Sequence, residues 1–214
     1  MGLSVEIGML ADLVINDSEG AGWLLDSFKG VNEVLAENAL PEHKEPKVLP
    51  EFCRRSELNS FPYSFIHHLR RVYARVVNDP DWIPVEVSDG EDPARDPFVE
   101  EESMMFSSHL LCHSDAEGFY LPIDFDEVLI DETDQERIPG GLVGSSYRLL
   151  DELKEIAPKL DIKLDGNQLS DDEAKKLNEL IGSEENLHIE KLVWFTLFEV
   201  TRLSIEFKTA ICFS

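Results

Sequence analysis

Basic residues are scarce in this sequence. Its 214 residues include 19 Lys and Arg against 44 Asp and Glu, so the formal net charge is −25. Such a charge excludes most nucleic-acid binders and disfavours anionic membranes, because affinity for phosphates depends on Lys and Arg contacts. The acidity either provides solubility alone or attracts a basic partner. The second interpretation predicts a non-catalytic interaction protein, immunity- or inhibitor-like, that binds a basic protein.

Cysteines and long apolar runs are also lacking. Cys53, Cys112 and Cys212 are odd in number and far apart, which argues against a disulfide framework and favours reduced thiols in the cytoplasm. The apolar run at 192–200 is too short to span a bilayer. Charged residues interrupt the N-terminal apolar segment, so we expect no signal peptide there. No motif names a reaction, and the cofactor, if any, is unknown.

The remaining composition predicts an α+β fold. Hydrophobic residues make up 43% of the chain, enough for a core, and the length favours a single domain over residues 1–214. Apolar residues at helical spacing and capping signals predict helices near 18–38, 61–78, 142–157, 170–181 and 185–206. Alternating segments at 104–125 predict a β-hairpin with a turn at 115–118, and 209–213 is a further candidate strand. We therefore expect several helices packed around a small antiparallel sheet.

Two segments hold much of the acidity. Residues 79–102 contain four prolines and ten acidic residues against Arg95 alone, which predicts an acidic Pro-rich loop. A second acidic cluster lies at 124–136. These segments are either solvated or used to bind a partner, and they could also pair with the basic residues gathered at 54–75.

The predicted hairpin is a candidate metal site. His109 and His113 would share one face of the first strand, because side chains alternate along a strand. Pairing across the turn would place Asp124 opposite His109, with Asp126 on the same face. Two imidazoles and two carboxylates suit a divalent cation, which makes a metal-dependent enzyme the alternative function. The competing interpretation is an exposed polar face.

Two further places are candidates for binding a small anion. His67, Arg71 and Arg75 fall on one face of the helix at 61–78, where guanidinium groups could bind a carboxylate or phosphate. The same face could equally pair with the chain's own acidic segments. Ser145 and Ser146 follow a Gly-rich loop at a predicted helix start, where backbone amides could hold an anion or the serines could simply cap the helix.

The last predicted helix carries one charged stripe on an otherwise apolar segment. Glu199, Arg202 and Glu206 are spaced by three and four residues. If this helix is central, Glu199 is partly buried and requires a partner, which could be Arg202 or an arginine of the helix at 61–78. The stripe is therefore either a candidate ligand-binding site or the solvent face of the helix.

Three segments together resemble an uncharacterised bacterial protein family of about this length. They are MGLSVEIGMLADL at 1–13, PYSF at 62–65 and SIEFKTA at 204–210. The resemblance extends over most of the chain. It implies no activity and no site residues, because none is assigned to that family.

Overall fold

The computed structural model describes residues 2–88, 90–131, 137–184 and 186–214. Some acidic residues of the predicted segments lie outside this part: Asp89, Glu132, Asp134, Glu136 and Glu185. Strands β1 to β8 are Gly2–Ile7, Ser60–Pro62, Gly118–Leu121, Leu129–Ile130, Leu142–Ser145, Leu164–Asp165, Gln168–Leu169 and Ile211–Phe213. Helices α1 to α7 are Met9–Asn16, Ser18–Glu37, Phe65–Asn78, Pro97–Met104, Ser146–Ile156, Asp171–Gly182 and His188–Phe207.

Six strands form one mixed sheet, in the order β2-β1-β8-β3-β5-β4. β3 and β5 are parallel, and every other neighbouring pair in this sheet is antiparallel. β6 and β7 form a separate two-stranded sheet. The α+β class is confirmed, but the main sheet is larger than predicted and is not purely antiparallel. A parallel pair needs a long crossover connection, which local sequence patterns do not reveal.

The sheet separates two clusters of buried apolar side chains. β3 shows the alternation, since Phe119 and Leu121 pack against α1 and α2, whereas Tyr120 faces the larger cluster on the other side. Helices α3 to α7 contribute to that larger cluster. The molecule therefore has two helical layers with a sheet between them.

Two helices predicted from periodicity have the expected burial. On α2, the apolar residues at helical spacing are all buried, and Asp17 caps the helix by accepting hydrogen bonds from two backbone N–H groups. α7 is buried from Glu190 to Thr201, so the prediction that it is the central core element is confirmed. Trp194 and Phe198 stack within it, with ring centroids 4.7 Å apart.

The prediction of a β-hairpin at 104–125 is wrong. Residues 107–114 form turns rather than a strand, and β3 pairs with β5 and β8 instead. Side chains satisfy the backbone of this turn segment: Glu152 accepts from the N–H groups of His109 and Leu110, and Arg70 donates to the carbonyls of Leu110 and His113. Because these polar groups already have partners, the segment needs no neighbouring strand.

The acidic segment at 79–102 is helical at its end. A 3₁₀ turn forms at Pro93–Arg95, and α4 begins at Pro97. Asp92 and Asp96 cap these two elements by accepting hydrogen bonds from backbone N–H groups. Part of the acidity in this segment therefore has a structural role.

Candidate interaction surface

The histidines of the predicted metal site are buried and hydrogen-bonded to the backbone. His109 Nδ1 accepts from the N–H of Ser145 at 2.9 Å, which leaves Nε2 to donate to the carbonyl of Asp126 at 3.2 Å. Burial lowers the pKa of His109. Burial also lowers the pKa of His113 to about 4, and its ring stacks on Tyr120 with centroids 4.1 Å apart. Both imidazoles act as neutral packing groups at neutral pH.

The carboxylates of that predicted site face another partner. Asp124 and Asp126 are exposed, and both lie against Arg148, at 3.0 and 2.6 Å from its Nη2 atom. Within the described ranges, no group of three or more His, Cys, Asp or Glu side chains is arranged to hold a metal ion. The structure therefore does not form the metal site on which the predicted metal-dependent enzyme relied.

The basic face of α3 pairs with acidic residues of the same chain. Arg71 and Arg75 approach Asp96 at 3.3 and 2.6 Å, and His67 lies 3.0 Å from Asp115. Both guanidinium groups also pack on the Trp82 ring, 5.4 Å from its centroid. These contacts support the interpretation in which this face is neutralised internally, and they leave little room for an external anion.

The start of α5 is closed to solvent. A strand, β5, precedes it instead of the predicted loop, and Ser145 and Ser146 are fully buried. Ser145 Oγ donates to the carbonyl of Ile123 at 2.7 Å and accepts from the N–H of Arg148, whereas Ser146 Oγ bonds Ser204 Oγ at 2.9 Å. The serines cap and anchor the helix, and an anion has no access to them.

The charged stripe of α7 is anchored by a residue from a distant segment. Glu199 is fully buried, and Arg55 bonds it through both its backbone N–H and its guanidinium group. Arg202 bridges Glu199 and the exposed Glu206. Burial raises the pKa of Glu199, but the hydrogen bonds from Arg55 and Arg202 outweigh it and hold that pKa below its usual value. The predicted partner Arg202 is present, whereas Arg55 was not expected.

A different group of carboxylates lies at the β4 end of the sheet. Arg137 stands between three of them, 3.2 Å from Glu33, 3.1 Å from Glu37 and 2.8 Å from Asp131. These carboxylates raise the pKa of Arg137, with the hydrogen bond to Glu37 contributing most. One guanidinium charge thus fixes three carboxylates and leaves the cluster negative.

Arg148 has the same role a short distance along the chain. It holds Asp124 and Asp126, and the next residue, Glu127, is exposed without an ion-pair partner in the described structure. Glu127 and Glu37 line one cleft, which connects the two arginine-centred groups. We refer to the surface formed by Glu33, Glu37, Asp124, Asp126 and Glu127 as the acidic edge.

A row of carboxylates on α2 extends this surface. Glu19, Asp26 and Glu33 are exposed and seven residues apart, which is close to two helical turns. They therefore lie on one side of the helix, at intervals of about 10 Å along its axis. Lys29 offsets Asp26 alone, in an exposed pair of the kind that contributes little.

Neither Arg137 nor Arg148, the two arginines that hold the carboxylates of the acidic edge, lies in a specific sequence motif. Arg137 is the lone cation after the acidic residues of 124–136, and Arg148 is the lone cation of the following helix turn. A single arginine beside several acidic residues is the one feature of the sequence that could have indicated these pairs. The bonded carboxylates of α2 are about a hundred residues away, so the grouping itself requires the fold.

The family match decides how this surface is interpreted. Residues 1–213 match the model of a family described as "Putative DNA-mimic protein". The chain belongs to this family. No curated protein and no solved structure matches it.

Membership confirms the resemblance found in the sequence and corrects the predicted function. The immunity- or inhibitor-like class is wrong, because the family description is that of a DNA mimic. The alternatives, a metal-dependent enzyme and a small-anion binder, do not fit that description either. Within the described residues, none of the helices has the length and apolar character needed to cross a bilayer.

Proposed function

We propose that this protein binds a DNA-binding protein and presents carboxylates where DNA presents phosphates. Family membership supports the general class of this function, that of a DNA mimic. The observation that carries the proposal to named residues is the acidic edge, where Arg137 and Arg148 hold exposed carboxylates in fixed positions. A basic DNA-contacting surface is the natural complement of such an array.

The spacing of the carboxylates supports this proposal. DNA carries one charge per about 3.4 Å of axis on each strand. The seven-residue intervals on α2 correspond to about 10 Å, close to three such steps, and the four residues from Glu33 to Glu37 correspond to about 6 Å. A row of this kind meets a series of phosphate-binding Lys and Arg side chains at intervals, although it does not reproduce every phosphate.

The arginine-centred groups explain how like charges can stand close together. Carboxylates within about 6 Å of each other repel, and free side chains would turn apart to reduce that repulsion. A shared guanidinium group prevents this and costs one negative charge for two or three carboxylates. The array is therefore ordered before the partner arrives, which reduces the entropy lost on binding.

The free thiols are consistent with an intracellular place of action. Cys53, Cys112 and Cys212 are all unpaired. Reduced cysteines are the usual state in a cytoplasm, where DNA-binding proteins also act. The proposal accordingly places the protein in the cytoplasm.

Competition with DNA tests the proposal. A labelled duplex is bound to each of two purified DNA-binding proteins: a helix-turn-helix repressor, and a bacterial architectural protein that inserts a proline wedge into the minor groove. We expect the acidic protein to release the duplex from at least one of them. Its affinity for that protein should fall steeply with salt, because charge pairing dominates the contact.

Charge-matched variants locate the surface. Glu33→Gln, Glu37→Gln and Glu127→Gln together should weaken competition at least tenfold at low salt and reduce the dependence on salt. The control removes the same charge far away, on β6 and α6, through Asp165→Asn, Asp172→Asn and Glu179→Gln, all of which are exposed. α6 packs on the side of the sheet opposite α2, because its buried residues Ala174 and Leu177 belong to the larger apolar cluster. Equal losses of competition in both variants would show that only net charge matters, which would contradict the proposed surface. If the wild type does not compete with DNA at all, the proposed function is refuted.

A further inference from the structure

A turn of exposed apolar residues lies directly beside the acidic edge. Met104, Met105 and Phe106 are 79%, 68% and 48% exposed, and Ile130 on β4 is 38% exposed. Three consecutive large apolar residues in water are unusual at the end of a helix and mark a contact surface more often than a solvated one. We refer to these four residues as the apolar turn.

The backbone holds the apolar turn in place. Phe106 has φ of 53°, a left-handed conformation that a bulky residue rarely adopts. On the preceding side, the Cys112 thiol bonds the carbonyl of Ser103. On the following side, Glu152 accepts hydrogen bonds from the backbone N–H groups of the segment that begins at His109. The turn is therefore displayed by anchored segments on both sides.

The apolar turn and the acidic edge share one cleft. Met105 and Phe106 line it together with Val128 to Ile130, and its volume is about 580 Å³. Glu37 and Glu127 stand at the same cleft. Asn38 and Ser107 complete the lining, so the cleft is mixed: it has large apolar side chains beside polar groups, and its charged residues are acidic. It therefore suits an apolar side chain flanked by Lys or Arg.

We propose that this cleft receives an apolar wedge side chain from the DNA-binding partner. The inference rests on the proposed function and specifies the partner as a protein that inserts an apolar side chain between base pairs. Such proteins combine cations that contact phosphates with a wedge such as Pro, Leu, Ile, Met or Phe that unstacks a base step. A mimic made of carboxylates alone would leave that wedge in water. Met105 and Phe106 supply the apolar contact that the bases supply in DNA.

Binding to the architectural protein tests the inference. The variant Met105→Ser with Phe106→Asn removes the apolar side chains and places at 106 a residue that tolerates positive φ. We expect its affinity to fall at least tenfold while the dependence of affinity on salt stays unchanged. The control, Ile15→Ser with Val48→Ser, removes exposed apolar residues beside another cleft and should bind as the wild type does. Circular dichroism and urea midpoints verify that both variants fold.

A double-mutant cycle identifies the occupant. Replacing the proline wedge of the architectural protein by Ala should cause a similar loss with the wild type and little further loss with the Met105→Ser, Phe106→Asn variant. Additive losses would overturn the inference, as would unchanged affinity of that variant. In both cases, competition by the wild type would leave the proposed function standing. Absence of binding by the wild type to the repressor and to the architectural protein would refute both proposals together.

Discussion

At the scale of single residues, Glu152 is a carboxyl group on which burial and hydrogen bonding act in opposite directions. Burial raises its pKa to about 7, although it accepts hydrogen bonds from the N–H groups of His109 and Leu110. In the unfolded chain the pKa returns to the usual value of about 4.3. Between these two values, the folded state binds a proton that the unfolded state has released.

This difference predicts a pH dependence of stability with a definite sign. The free energy of unfolding should decrease as the pH rises from about 4.3 to about 7, since the folded state binds more protons in that range. The loss amounts to about 1.4 kcal/mol per pH unit, or roughly 4 kcal/mol in all. Glu152→Gln cannot titrate and should lack this component. Urea unfolding of both proteins at a series of pH values measures the difference.

Glu179, which is exposed on α6 and is not among the charges that act on Glu152, provides the control. Glu179→Gln should keep the pH profile of the wild type. Parallel profiles for the wild type and Glu152→Gln would show that Glu152 does not titrate in this range. A confirmed profile would mean that the segment leading away from the apolar turn is held by a group that changes charge near neutral pH.

At the scale of secondary-structure elements, α2 closely approaches a distant segment of the chain at Gly30. A Cβ atom at Gly30 would overlap the carbonyl oxygen of Arg137, so the absence of a side chain lets the helix lie against the segment that carries this arginine. Gly22, on the same helix, has nothing within 4 Å of the corresponding position. The two glycines therefore differ in packing while sharing the same helix.

Alanine substitutions separate packing from helix propensity. Gly22→Ala should raise the free energy of unfolding by about 0.5–1 kcal/mol, because alanine favours the helix. Gly30→Ala should lower it by about 1–3 kcal/mol despite the same gain in propensity, because the helix must move away from Arg137. Urea unfolding measures both changes. A stabilised Gly30→Ala protein would show that the contact with Arg137 yields easily.

Local signals predicted the helices better than the sheet. The apolar spacing of α2, the Ser170 cap of α6 and the apolar centre of α7 are all present in the fold. These signals act within a few residues, so they are legible in the sequence. The strands have two to six residues, and their order depends on distant pairings such as β1 with β8, which no local pattern encodes.

For the candidate site, too, local features could be predicted from the sequence, whereas contacts between distant segments could not. The sequence predicted that acidic residues gather at 79–102 and 124–136, but it could not show which of them remain available. Asp96 is neutralised by Arg71 and Arg75, whereas Glu127 stays unpaired in the described structure. The predicted His109–Asp124 pair does not form because the side chains of Glu152 and Arg70, rather than a second strand, satisfy the backbone at His109 and Leu110.

At the scale of the whole molecule, the net charge opposes folding. With a formal charge of −25, carboxylates repel one another across the surface, and unfolding moves them apart. The internal pairs at α3 and α7 remove part of this repulsion by neutralising buried groups. At the acidic edge, the repulsion between carboxylates is only partly removed. The proposed function requires such an uncompensated surface.

Added salt should therefore stabilise this protein. The Debye length shortens from about 30 Å at 0.01 M to about 8 Å at 0.15 M ionic strength, which screens repulsion between separate parts of the surface. The buried pairs, such as Arg55 with Glu199, are screened much less. We expect the urea midpoint to rise with NaCl over this range, and a constant or falling midpoint would show that ion pairs outweigh the repulsion. A cationic partner would relieve the same repulsion, so its binding should raise the urea midpoint most at low salt. Low salt is also the condition in which such a partner binds DNA most tightly.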